Sequence, residues 1–118
     1  MAEIERINPI RITDKNSGEV YELDFNRDAI QFAEQNGFKL EDLANFPGTK
    51  PREFFYYAFR YHHKRLSRGQ TDKLYEKMGG VTGKMLERLI DLYNQAVAAN
   101  NIQDEEELAE NPFVEVEM

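Results

Sequence analysis

Apolar and polar positions along this chain change period several times, and each change marks an element. Residues 7–13 (INPIRIT) and 19–25 (EVYELDF) are short runs joined by DKNSG, a cluster of turn formers. In the second run Tyr21, Leu23 and Phe25 alternate with Glu22 and Asp24. That period of two belongs to a half-buried strand, so the pair of runs predicts a β-hairpin. The period then lengthens. Asn26 caps a helix reaching Asn36, with Asp28 in its first turn, Phe25 placed to staple against Ile30, and Gly37 as a left-handed stop. FKLEDLANFPGTK supplies a short helical turn over 40–46 and a loop at Pro47 and Gly48.

The segment 51–66, PREFFYYAFRYHHKRL, opens on a proline suited to the first turn of a helix, and the spacing predicts a helix over its whole length. Wound at the helical period, Phe54, Phe55, Ala58, Phe59, His62 and Leu66 share an arc of about 140°, flanked by Tyr57 and Tyr61. Glu53, Arg60 and Lys64 fall opposite, with Tyr56 and His63 on the boundary. This winding assigns His62 to the core and His63 to the surface.

Ser67 with Gln70 reads as a capping box for a helix to Met78, which Gly79 and Gly80 end. A last helix runs from Thr82 to Asn100. Its apolar positions, from Val81 through Met85, Leu89, Leu92 and Tyr93 to Ala99, cover about 180°, wider than the ~100° that one neighbour needs. The helix therefore meets two neighbours, two elements of its own fold or one plus a partner. Ala96 and Ala99 allow close helix approach or leave a shallow groove.

These elements make an α+β, mainly α fold: an N-terminal β-hairpin followed by a small bundle of about four helices, in one domain over residues 1–103. Residues 104–118 form an acidic tail. Its end, NPFVEVEM, alternates apolar and acidic positions and is either a third strand on the hairpin or a free tail.

At 118 residues the chain suits one domain. It has no Cys, which excludes disulfides, thiolate metal sites and thiol nucleophiles. No window approaches the ~20 apolar residues of a membrane span, and the N-terminus lacks the apolar region of a signal peptide, so a soluble cytoplasmic protein is expected. The formal charge of −7 is located entirely in residues 104–118, which carry seven acids and no base. Residues 50–88 hold ten bases against four acids, so a basic middle coexists with the acidic tail.

The candidate chemistries fail one by one. A helical zinc site needs ligands four residues apart, but the positions four before and after the two His hold Ala58, Phe59, Leu66 and Ser67. No metal or cofactor is expected. Basic and aromatic residues interleave as in nucleic-acid binders, yet the last helix balances Lys84 and Arg88 with Glu87 and Asp91, unlike a recognition helix. GGVTGKM lacks the spacing, the Ser or Thr after lysine, and the preceding strand of a phosphate loop. No nucleophile, base and orienting acid assemble, so no catalytic residue and no enzyme is expected.

The ordering YELDFNRDAIQFAEQNGF, PREFFYYAFRYHHKRLSRGQTDKLYEKMGG, MLERLIDLYNQA and NPFVEVEM, spanning roughly residues 19–118, resembles small tail assembly chaperone-like proteins of long-tailed phages and prophages of Gram-positive bacteria. The resemblance implies a non-enzymatic protein of the host cytoplasm that binds the long helical tape measure protein and keeps it soluble during tail assembly. It also implies self-association. Neither nucleic acid nor membrane is an expected partner. The client is expected in a groove between the aromatic helix and the last helix, on Tyr57, Tyr61, Met85, Leu89, Leu92 and Tyr93, with Arg60, Lys64 and Arg88 steering acidic segments. The competing expectations are a small phage or bacterial DNA-binding regulator and a structural tail or neck protein.

Overall fold

The computed structural model of the protein describes residues 6–101 and 109–118. β1 (Ile10–Thr13) pairs antiparallel with β2 (Val20–Leu23), Ile10 opposite Leu23 and Thr13 opposite Val20. Asp14 shapes the turn between them: its Oδ1 accepts from the backbone N–H of Asn16 at 2.9 Å, and Gly18 takes a positive φ of 76°. Among the described residues five helices follow: α1 (Arg27–Gln35), α2 (Asp42–Asn45), α3 (Lys50–Tyr57), α4 (Arg68–Met78) and α5 (Gly83–Asn101). A mainly helical fold with an N-terminal hairpin is therefore observed. Among the described residues no helix is long and apolar enough to cross a membrane.

Short-range chemistry sets most boundaries. The Asn26 side chain accepts from the Ala29 N–H, and at the other end of α1 the Gly37 and Phe38 amides return to the Glu34 and Ala33 carbonyls around a glycine at φ 82°. This is the Schellman closure, which satisfies carbonyls the helix leaves orphaned. At α4 both halves of the capping box form between Ser67 and Gln70, and Gly79 closes the helix at φ 78°. Thr82 Oγ1 accepts from the Met85 N–H at 3.2 Å and starts α5.

The aromatic segment departs from its expected course. Its helix ends at Tyr57 rather than continuing to 66, because the Ala58 carbonyl is taken by the Asp24 N–H at 3.1 Å, just beyond β2. The next amides tighten, Phe59 bonding to Tyr56 and Arg60 to Tyr57 at 3.1 and 3.2 Å, and residues 58–65 run as successive turns. The change of winding exchanges the two histidines. His63 turns inward against Tyr21 and Phe59, at ring-centroid distances of 5.5 and 6.0 Å, while His62 is exposed.

The core is an aromatic stack. Phe54 lies between Phe25 and Phe38, at 5.2 and 5.0 Å with interplanar angles of 19° and 9°, and Tyr93 of α5 meets all three rings edge-on. Offset and edge-to-face pairs each add about 0.5–1.5 kcal/mol beyond area burial. Leu23, Phe55, Leu89 and Leu92 are fully buried around the stack. α5 packs against α1 and β1, so its wide apolar face meets two elements of its own fold. Lys77 of α4 reaches Asp14 with 2.9 and 3.0 Å contacts to its two oxygens, which ties the hairpin turn to the bundle and holds that carboxyl below its ordinary range. Residues 111–118 add no strand to the two-stranded sheet; Phe113, Val114, Val116 and Met118 are exposed.

Candidate partner-binding surface

Packing of α3 and α5 into the aromatic core decides which of the expected contacts face outward. Four of the nine expected contacts lie in the core: Tyr57 and Tyr93 are 3% and 6% exposed, and Leu89 and Leu92 are fully buried. The space expected between the aromatic helix and the last helix is filled by these side chains, so it is packing rather than a groove. Tyr57 has its own partner. Its hydroxyl donates to Glu53 Oε1 at 2.6 Å while Lys50 Nζ holds Glu53 Oε2 at 3.0 Å, and burial together with the carboxylate raises the phenol's pKa.

Arg60 and Lys64 are paired within the molecule. Arg60 Nε donates to Asp28 Oδ2 at 3.1 Å with its guanidinium 4.5 Å above the Phe32 ring, and Lys64 Nζ stands 3.7 Å from the same oxygen. Both cations thus fasten the turn after α3 to the first turn of α1. Six of the ten bases in 50–88, namely Lys50, Arg52, Arg60, Lys64, Arg68 and Lys77, have a carboxylate within 4 Å. Their charge is locally balanced, whereas a phosphate-binding stripe presents it unmatched.

Tyr61 is the expected aromatic contact that faces outward. It is 37% exposed and lies flat on His62, with centroids 4.0 Å apart. Beside it opens a groove of about 500 Å³ lined by Tyr61, Phe25, Arg6, Asp24, Ala96 and Ala99. The two alanines of α5 form its floor where larger side chains would close it. Arg6 comes to the rim because the Ile7 N–H donates to Gln95 Oε1 at 2.7 Å, a contact spanning 88 positions. Asp24 lies below the rim. Burial pushes its carboxyl up, opposed by the 2.8 Å bond it accepts from the Phe25 N–H. Met85, half-buried, and Arg88, exposed, lie about two to three turns earlier on α5, outside this groove.

The structure therefore joins Tyr61 with Ala96 and Ala99, all singled out by their spacing, and adds Arg6 and Asp24, which no local pattern marks. Among the described residues no group of three or more His, Asp or Glu is placed to hold a metal ion.

The chain belongs to the family described as a domain of unknown function (DUF5055), which matches residues 1–118. Comparison with curated proteins and with solved structures gave no match.

Proposed function

We propose that this protein is a non-enzymatic binding module acting in the host cytoplasm as a phage tail assembly chaperone, which covers apolar helical surface of the tape measure protein. The groove between Tyr61 and the Ala96–Ala99 end of α5 carries the reading. An amphipathic helix docks by laying its apolar stripe into such a channel, and small residues on the floor let the two backbones approach. The ring of Tyr61 gives rigid contact area at low entropic cost, and the charge of Arg6 at the rim sets orientation. The sequence resemblance supplies the client. Acidic residues 104–118 add charge that keeps a complex with an apolar client dispersed.

Co-expression with segments of a tape measure protein tests the proposal. The client segment is expected to move from the insoluble to the soluble fraction and to co-purify with this chain. A client that stays insoluble with this chain abundant beside it would refute the role. Salt-dependent retention on duplex DNA would instead favour the regulator, and recovery from finished particles the structural protein.

A further inference from the structure

Two unpaired features of this chain match each other. The first is the outer edge of β1. Glu22 and Asp24 send their N–H groups away from β1, to His63 Nε2 and the Ala58 carbonyl, so the pairs Ile10–Leu23 and Ile12–Tyr21 carry the ladder bonds. The backbone N–H and C=O of Arg11 and Thr13 therefore point out of the sheet, and no described residue bonds to them. Pro9, in the same phase, offers a carbonyl alone and limits how far a ladder can extend. The side chains of Ile10 and Ile12 are half-buried, while Arg11 and Thr13 are exposed. Next to Ile12 a groove of about 340 Å³ is lined by Leu74 and Met78, with Lys15 and the Asp14–Lys77 ion pair also on its walls.

The second feature is the C-terminal segment. After the turn in which Asn111 Oδ1 accepts from the Phe113 and Val114 N–H groups, residues 114–118 run without regular structure. Val114, Val116 and Met118 are 57%, 51% and 116% exposed and alternate with Glu115 and Glu117.

We infer that residues 114–118 of one copy add as an antiparallel strand to the outer edge of β1 in a second copy. Placing Glu115 opposite Arg11 sets Val116 beside Ile10 and Val114 beside Ile12, so one face of the added strand extends the apolar side of the hairpin. The other face pairs a carboxylate with a guanidinium. Strand addition supplies main-chain bonds and the alternate side chains supply selectivity. The acidic alternation meets Arg11 and Lys15, whereas Lys77 is already matched by Asp14. A reciprocal exchange uses both tails and both edges and closes as a two-fold dimer, leaving neither copy with an open β1 edge. This inference stands on the edge and the tail alone, independently of the client.

Sedimentation of the full chain over a range of concentrations tests it, with Arg11→Glu, Glu115→Arg and the double exchange as variants. The wild type is expected to show a reversible monomer–dimer equilibrium. Each single reversal sets like charges opposite one another twice per dimer and weakens it by about tenfold, and the double exchange restores it. A chain that remains monomeric throughout overturns the inference. So does a dimer indifferent to the charge reversals, or a monomer whose Arg11 and Thr13 amides become fast to exchange only when 114–118 are deleted, since the tail would then dock on its own sheet.

Discussion

The backbone N–H of Glu22 donates to Nε2 of His63 at 3.0 Å, across 41 positions of sequence. The imidazole can accept this bond only when Nε2 carries no proton. Burial disfavours the charged ring, the neighbouring His62 adds to that, and the His63 pKa is lowered from 6.5 in spite of the nearby Glu22 carboxylate. The unfolded chain therefore binds a proton first as pH falls. The stabilising contribution is complete above about pH 6.5 and is lost as pH drops from there through the lower, folded-state value. Urea unfolding between pH 7.5 and 5 should show stability falling with pH. His63→Gln, whose amide oxygen can still accept from Glu22 and does not titrate, should flatten that slope. An equal slope in the variant would remove His63 as its cause.

Phe54, fully buried between Phe25 and Phe38, is the centre of the core. Phe54→Ala should cost about 3–5 kcal/mol, a large share of a small domain's stability. Thermal melting followed by near-ultraviolet dichroism reads this directly. A loss below about 1 kcal/mol would mean that the stack does not organise the fold.

The Ser67–Gln70 box fixes where α4 begins. Ser67→Ala should remove about 1 kcal/mol, and Ser67→Asp should keep most of it because a carboxylate can still accept the Gln70 N–H. Denaturant midpoints of the two variants, taken side by side, check the order.

How much of this was legible in the sequence depended on whether the deciding contact was local. Asn26, Ser67, Gln70, Gly79 and Gly80 act within a few residues, and the boundaries they mark are where the chain turns. The end of α3 depends on the bond from Asp24 to the Ala58 carbonyl, 34 positions apart, while the apolar spacing continues unbroken toward Leu66. Nothing nearby announces the stop, so His62 and His63 exchange places. The same distinction holds at the groove. Tyr61, Ala96 and Ala99 stand out as ring and small residues at helical spacing, whereas Arg6 joins them through the pairing of Ile7 with Gln95.

Ala99 is exposed on the groove floor. Ala99→Arg places a long charged side chain in the channel at a position where both residues are good helix formers, so stability should change by no more than about 0.5 kcal/mol. Client solubilisation in co-expression should fall sharply. Undiminished solubilisation would move the binding surface elsewhere on the chain.

If this protein acts by covering a client's apolar surface, calorimetric titration of the purified protein with amphipathic helical segments of a tape measure protein will register that burial. Saturable binding with a negative heat-capacity change, the mark of apolar burial, is expected, and Ala99→Arg should abolish it. Absence of binding to every such segment, or binding that Ala99→Arg leaves intact and whose heat capacity does not change, would contradict that mode of action.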